Sequence, residues 1–174
     1  MKKTKLFLIG FMGCGKSTIA SGMQSKFQMN RIEMDQTIES LQQKSISQIF
    51  RDEGEDYFRK LETDLLKSFR TRKNLIVSCG GGVPMREENV REMKEQGVIV
   101  WLTAAPSTIL KRVRNNHDRP LLEGHMTEEY IQDMMEKREP AYRDAADLVI
   151  STDGKSPLEI GNEIMKEFRH ITGR

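Results

Sequence analysis

The sequence has little of what marks secreted, membrane-spanning or nucleic-acid-binding proteins. Its 174 residues include only two cysteines, Cys14 and Cys79, which are far apart and lack metal-ligand spacing. Nothing marks secretion, so we expect reduced thiols and a cytoplasmic protein. A net charge of only +2 gives no bulk attraction to nucleic acid or to a membrane surface. No apolar stretch approaches transmembrane length.

What the sequence does contain is a regular alternation of short apolar runs and longer amphipathic segments. Its length and composition suit one domain over residues 1–174. The apolar runs predict strands at 6–9, 32–34, 75–77, 98–102 and 148–150. The amphipathic segments predict helices at 16–27, 47–70, 86–95, 107–114, 127–143 and 157–169. This alternation favours a parallel sheet with helices on both faces.

Two local patterns refine that organisation. Ser156, Pro157 and Glu159 fit the N-cap, N1 and N3 positions of a capping box at the start of the last helix. Residues 115–125, NNHDRPLLEGH, form a polar segment with proline and glycine between two predicted helices. Because loops of this length in compact domains are often functional, we expect a lid at about residues 113–125.

The stretch GFMGCGKST, residues 10–18, follows the first predicted strand. Gly10, Gly15, Lys16 and Ser17 satisfy G-x-x-x-x-G-K-[ST] in the strand-to-helix context that the motif requires. Glycines let N–H groups turn inward around phosphate oxygens, and the helix N-terminus adds further donors. A glycine-rich turn that only caps a helix is the alternative. The motif predicts nucleotide phosphate binding, with Lys16 on the terminal phosphates and Ser17 on Mg²⁺.

Two carboxylates come at the end of the second predicted strand. Glu33 and Asp35 are two residues apart, so in an extended strand both would point to one side. The carboxyl edge of a parallel sheet is where α/β proteins bind ligands, and a carboxylate there can orient an attacking hydroxyl. The alternative for Asp35 is an N-cap for a helix that runs from Gln36 onward.

Seven motifs in register resemble those of the shikimate kinase family over nearly the whole chain. Besides GFMGCGKST they are D-x-x-I-E at 35–39, G-E-x-x-F-R-x-x-E at 54–62, GGG at 80–82, REEN at 86–89, RPLL at 119–122 and R-x-P-x-Y at 138–142. The resemblance implies transfer of the ATP γ-phosphate to the shikimate 3-hydroxyl, a step towards chorismate and the aromatic amino acids. It also implies a three-layer, nucleoside-monophosphate-kinase-like P-loop fold with five parallel strands, a substrate-binding region at about 33–62 and a mobile lid.

The same resemblance implies roles for individual residues. Asp35 is expected to act on the substrate hydroxyl, while Lys16 and Arg119 stabilise the transferred phosphate. The shikimate-binding residues that it implies are Asp35, Arg59, Gly80, Gly81, Gly82 and Arg138. The nucleotide-binding residues that it implies, together with the phosphate-loop motif, are Gly13, Cys14, Gly15, Lys16, Ser17, Thr18, Arg112, Arg119 and Pro157.

Glu33 departs from the family pattern, which usually has aspartate at this position. We expect Ser17 and Glu33 to hold Mg²⁺, with an exposed edge-strand carboxylate as the alternative for Glu33. Ser78 fits either the water shell of that metal or an ordinary buried strand serine.

Rival interpretations remain at this point. Arg59 and Arg138 also fit solvated helix faces, and Glu55 and Glu62 lie at ion-pairing distance from Arg59. A kinase for another polyhydroxy acid, such as gluconate, and a nucleotide-dependent switch without an acceptor are the other functions considered. We expect ATP and Mg²⁺ as cofactors, shikimate as the small-molecule partner, no nucleic acid or membrane partner, and a monomer.

Overall fold

A five-stranded parallel sheet with strand order β2–β3–β1–β4–β5 forms the centre of the computed structural model, which describes residues 3–113 and 127–173. The strands are β1 (Lys5–Ile9), β2 (Asn30–Glu33), β3 (Leu75–Ser78), β4 (Gly97–Thr103) and β5 (Leu148–Ser151). The helices are α1 (Lys16–Phe27), α2 (Met34–Gln42), α3 (Ile46–Glu53), α4 (Glu55–Ser68), α5 (Glu87–Gln96), α6 (Pro106–Val113), α7 (Glu128–Ala145) and α8 (Pro157–Thr172), and a 3₁₀ turn covers Val83–Met85.

Side-chain alternation along the strands divides the buried core into two layers. Leu6 and Leu8 of β1 pack into one cluster, which includes residues of α1 and α8. Phe7 and Ile9 of the same strand pack into the other, which includes residues of α4 and α5. Because a strand buried on both faces has no polar side, β1 reads as the continuous apolar run KLFLI. The predicted parallel sheet with helices on both faces is confirmed.

The register of the sheet brings three strand ends to one edge. Ser78 of β3 pairs with Leu8 of β1 on one side and with Glu33 of β2 on the other. All these pairings are parallel, so the segments that leave β1, β2 and β3 emerge side by side. The order also reverses around β1, which makes this edge the expected ligand crevice of an open α/β sheet.

The predicted helix at 47–70 is wrong in one respect, since it is two helices. Gly54 separates α3 from α4 with φ 87° and ψ 169°, a backbone conformation that is essentially restricted to glycine. Its N–H group donates to the carbonyls of Ile49 and Phe50 and so ends α3. The helical spacing of apolar residues continues on both sides of Gly54, which is why the sequence pattern hides the break.

The predicted strand at 32–34 is also corrected. β2 ends at Glu33, which is the N-cap of α2, and Asp35 lies in the first turn of that helix. The argument that strand alternation points Glu33 and Asp35 to one side therefore does not apply, and Asp35 is not an N-cap. Its carboxylate does lie at the positive end of the α2 dipole, where negative charge is favoured.

The capping box predicted at the start of the last helix is confirmed. Ser156 Oγ accepts from the Glu159 N–H, and Glu159 Oε2 accepts from the Ser156 N–H, with Pro157 at N1 of α8. Over residues 3–113 and 127–173, no helix has the length and apolar character needed to cross a bilayer. The predicted lid at 113–125 lies outside the described residues except for Val113.

Gly54 and Gly22 form a matched pair for testing the helix break. Gly54→Ala is expected to lower the free energy of unfolding by about 1–3 kcal/mol, because alanine is strained at this φ and ψ. Gly22→Ala in the exposed middle of α1 should raise it by about 0.4–1 kcal/mol. Urea denaturation of both variants measures the two changes, and equal effects would contradict the backbone argument.

Candidate active site

The phosphate loop after β1 has the open backbone that its motif predicts. Gly13 and Gly15 have φ values of 77° and 99°, and Gly15 is the N-cap of α1. Their N–H groups donate to none of the residues that the structure describes. A Cβ on Gly13 would lie 2.8 Å from Val113 Cγ1, so the loop is also packed tightly against α6. Unpaired N–H groups beside a helix N-terminus form a site for phosphate oxygens.

Lys16 lies across this loop at the first position of α1. Its Nζ donates to the carbonyl oxygens of Gly10 at 2.8 Å and Phe11 at 3.1 Å. Cys14 is buried beneath it, with its Sγ 3.9 Å from Lys16 Nζ. Thr18 is exposed on the first turn of the helix. The loop therefore carries one ammonium group within reach of any phosphate bound by its backbone.

Arg112 of α6 joins the phosphate loop to the segment after β5. Its Nη1 donates to the Gly13 carbonyl at 3.2 Å and to Thr152 Oγ1 at 3.0 Å. The segment that starts at Thr152 leads to Pro157, at the start of α8. Arg112 therefore lies beside the phosphate loop, and Pro157 lies at the far end of the segment that Arg112 contacts. Their nucleotide contacts stay predictions.

Three oxygen-bearing side chains meet where α1, β2 and β3 adjoin. Ser17 Oγ donates to Glu33 Oε2 at 2.8 Å and lies 3.4 Å from Ser78 Oγ. Glu33 Oε1 is buried without a hydrogen bond, and the nearest cation, Arg31 Nη1, is 3.7 Å away. Hydroxyl and carboxylate oxygens are the ligands that Mg²⁺ prefers, and the unpaired Oε1 can accept from a metal-bound water. The residues present therefore fit Mg²⁺, with Ser17 and Glu33 as the groups that would hold it.

Asp35 reaches the same cleft from the first turn of α2. Its side chain is open to solvent, yet it lies in a recess where the Gly80 backbone comes close. Partial burial raises the pKa of Asp35 above its usual value, the charge of Lys16 opposes this, and that of Glu39 reinforces it. A carboxylate with a raised pKa, placed beside a phosphate loop, suits contact with a hydroxyl group.

Gly80, Gly81 and Gly82 make room for four charged or polar groups. A Cβ on Gly80 would lie 2.9 Å from Asp35 Oδ1 and 3.1 Å from a carboxylate oxygen of Glu62. A Cβ on Gly81 would lie 3.0 Å from the nearest Arg138 nitrogen. A Cβ on Gly82 would lie 2.6 Å from Arg59 Cζ. At each position of this segment, which we call the glycine turn (residues 80–82), a larger residue would displace one of these charged side chains.

Arg59 is held by two carboxylates of its own helix. Its Nη1 donates to Glu62 Oε2 at 2.8 Å, and its Nη2 to Glu55 Oε1 at 3.1 Å. Glu62 is only 1% exposed, and its Oε1 has no hydrogen-bond partner among the described residues. Burial raises the pKa of Glu62, while the Arg59 guanidinium opposes the shift. Arg59 is therefore ion-paired, and its guanidinium lies beside the Gly82 backbone, while its contact with the acid stays a prediction.

Arg138 of α7 also comes close to the glycine turn, at Gly81. Its Cζ lies 5.7 Å from the centre of the Phe11 ring, and no carboxylate of the described residues comes within 4.0 Å of it. Tyr142, one helical turn further along α7, donates its hydroxyl to the Gly81 carbonyl at 2.8 Å. A half-buried guanidinium without a carboxylate partner is a ready site for an anionic group.

The structure thus brings together most of the residues predicted from the sequence. Arg119 lies outside the described residues, so its predicted role stays a prediction. The sequence analysis did not single out Glu62 or Tyr142 as site residues, although both belong to motifs it recorded. Their spacing from the arginines, three residues after Arg59 and four after Arg138, was the available clue.

Comparison with known proteins agrees with this geometry. The sequence model of the shikimate kinase family matches residues 12–169. The chain belongs to the shikimate kinase family. A shikimate kinase of Persephonella marina is 43% identical over 94% of this chain and 98% of its own.

Solved shikimate kinases share the fold of this family member. One from Acinetobacter baumannii in complex with shikimate superposes with a TM-score of 0.86 at 29% identity, covering 98% of this chain and 94% of its own. One from Aquifex aeolicus superposes with a TM-score of 0.81 at 32% identity, covering 96% of this chain and 97% of its own. The predicted P-loop kinase fold and the predicted family are confirmed.

Asp35→Asn should separate activity from stability in this kinase. We expect kcat to fall by about 10²-fold or more, the range for a lost acid–base group. Because the folded-state pKa is raised, ionised Asp35 costs stability once the pH rises above its ordinary value of 3.8. The Asn variant should therefore melt at a higher temperature than the wild type at pH 7, and the gain should vanish as the pH approaches 4.

Thermal melts from pH 4 to pH 8 and steady-state kinetics measure the two effects. Asp64→Asn, on the exposed face of α4, is the control and should change neither. A variant that loses stability at pH 7 would contradict the proposed desolvation of Asp35.

Proposed function

We propose that this protein transfers the γ-phosphate of ATP to the 3-hydroxyl of shikimate, giving shikimate 3-phosphate and ADP on the route to chorismate and the aromatic amino acids. The observation that carries the proposal is the closeness of the two half-sites. The Gly10 carbonyl oxygen of the phosphate loop lies 4.0 Å from the point that a Cβ atom on Gly81 of the glycine turn would occupy. Direct phosphate transfer needs donor and acceptor in that proximity.

The glycine turn and the side chains around it suit binding of a small carboxylic acid that also carries hydroxyl groups. Arg59 and Arg138 border the glycine turn, and a guanidinium fork matches a planar carboxylate better than an ammonium group does. Arg138 has no carboxylate partner among the described residues, so it is the stronger of the two anchors. Asp35, Gly80, Gly81 and Gly82 complete the set that we propose for shikimate binding.

The chemistry asks the protein mainly to orient the reactants and to neutralise charge. Asp35 would accept a hydrogen bond from the attacking hydroxyl and take up its proton. Lys16 would leave the Gly10 and Phe11 carbonyls for the phosphate oxygens. Ser17 and Glu33 would hold Mg²⁺, which supplies further charge neutralisation when bound.

The remaining assignments rest on the motif pattern. We propose Gly13, Cys14, Gly15, Thr18, Arg112 and Pro157 as nucleotide contacts, and Arg119 as the lid cation. The proposal treats 1–174 as one domain, 33–62 as its substrate-binding region and 113–125 as its lid. We also propose a monomeric, cytoplasmic enzyme, and the two free, buried thiols fit a reducing compartment. Sedimentation analysis tests the monomer.

A coupled assay for ADP release tests the proposed reaction directly. With ATP and Mg²⁺, we expect turnover with shikimate, detection of shikimate 3-phosphate, and no turnover with gluconate at the same concentration. Turnover with gluconate alone would identify a different acid kinase. Nucleotide binding without turnover on either acid would instead favour a switch without an acceptor.

Arg138→Lys tests the carboxylate anchor. The lysine keeps the charge but loses the fork, so the KM for shikimate should rise about tenfold or more while the KM for ATP stays near its wild-type value. Arg143→Lys is the matched control on the same helix, where the side chain is exposed and pairs with Glu139. Equal increases in both KM values would contradict the anchor, as would an effect of the control variant on shikimate.

A further inference from the structure

The carbonyl groups of the glycine turn and of Val83, which follows it, are all paired within the protein. The Gly80 and Gly82 carbonyls accept from the N–H groups of Val83 and Met85, each at 3.1 Å. The Gly81 carbonyl accepts from the Tyr142 hydroxyl at 2.8 Å, and the Val83 carbonyl from Asn89 Nδ2 at 3.0 Å. Two of these four hydrogen bonds come from side chains on other helices.

The N–H groups of the same three glycines are left without partners. None of them donates to a residue that the structure describes, although all three glycines are half-buried. Backbone donors inside a folded protein are nearly always paired, so three in succession indicate donors directed at a ligand. Because the carbonyl groups of the turn are hydrogen-bonded, its peptide planes cannot rotate freely. The direction of these N–H groups is therefore fixed.

Tyr142 holds the middle of the turn from α7. The side chain is 2% exposed, and its ring packs against Trp101 with 5.9 Å between the ring centres. Arg138 precedes it by four residues, which puts both side chains on the same face of the helix. The hydroxyl bond to Gly81 therefore sets the distance between the turn and the Arg138 guanidinium.

Asn89 holds the end of the turn and connects it to α4. The residue is fully buried, and its Oδ1 accepts from the Thr63 hydroxyl at 2.7 Å, which orients Nδ2 towards the Val83 carbonyl. Thr63 follows Arg59 by four residues on α4. The turn is thus linked at Gly81 to the helix that carries Arg138. Val83, which follows the turn, is linked through Asn89 to Thr63 on the helix that carries Arg59.

We propose that the Tyr142 hydroxyl and the Asn89 side-chain amide are positioning groups that fix the glycine N–H donors at a set distance from Arg138 and Arg59. The inference rests on the proposed function, in which these donors and arginines bind the acceptor acid. Neither residue is a catalytic residue, because each acts through the backbone of the turn. Their contribution is to order the pocket before the acid arrives, which lowers the entropic cost of binding.

Tyr142→Phe tests the first anchor by removing one oxygen atom. We expect the Kd for shikimate, measured by isothermal titration calorimetry without nucleotide, to rise about five- to tenfold, the effect of one lost hydrogen bond. The KM for shikimate should rise in parallel, while the Kd for ATP stays unchanged. Tyr57→Phe is the control, since it removes an exposed hydroxyl that bonds only Gln42.

Thr63→Val and Thr63→Ser form the matched pair for the second anchor. Valine keeps the shape but removes the donor that orients Asn89, so its Kd for shikimate should rise several-fold. Serine keeps the hydroxyl and should bind shikimate as the wild type does. If Tyr142→Phe fails to fold, this pair decides the inference, since its members differ in the hydroxyl that the argument needs.

The outcomes distinguish this inference from the proposed function. A wild-type protein that neither binds nor phosphorylates shikimate refutes the function. A wild-type protein that does both, together with Tyr142→Phe and Thr63→Val variants of unchanged shikimate affinity, overturns only the positioning role. Equal losses of shikimate and ATP affinity overturn it as well, because a general loss of order would then explain the data.

Discussion

The parallel pairing of β2, β3 and β1 is the constraint on which the site depends. Ser78 stands in register with Leu8 and with Glu33, so the phosphate loop, the glycine turn and the start of α2 leave the sheet as neighbours. A slip of one residue in this register would move side chains to the opposite face of the sheet. The cleft is therefore a consequence of strand pairing, which also places Glu33 and Ser78 at the strand ends that line the site.

Within that cleft, carboxylates and cations lie close to one another. The pKa values of Asp35 and Glu62 are raised, mainly because desolvation disfavours their ionised forms. The charge of Lys16 partly offsets this for Asp35, and that of Arg59 does so for Glu62. Such an arrangement lowers the stability of the folded protein, and the two apolar layers of the sheet have to supply the difference. The buried, unpaired oxygens of Glu33 and Glu62 fit this picture, since a site built for ligands leaves some polar atoms for them.

The phosphate loop, the sheet and the α8 capping box could be predicted because each is encoded by adjacent residues. The break at Gly54 could not, since one glycine is tolerated in a helix and the apolar spacing continues beyond it. The position of Asp35 was misjudged for a related reason, because β2 is short and α2 starts without a capping side chain. Tyr142 and Asn89 escaped notice because their partners are backbone carbonyls, which leave no trace in a sequence.

The glycine turn also bears on how this enzyme can vary. At each of its three positions an added methyl group would meet the tip of a mobile side chain rather than rigid main chain: a carboxylate at 80 and a guanidinium at 81 and 82. Alanine replacements would therefore cost the fold little, while they would displace the side chains that we propose for acid binding. The displaced side chain is different at each of the three positions. One compensating substitution elsewhere could therefore not accommodate all three alanines. Mutations at residues 80–82 are therefore expected to impair binding of the acceptor acid more than they impair folding. Variants at these positions should be folded but inactive.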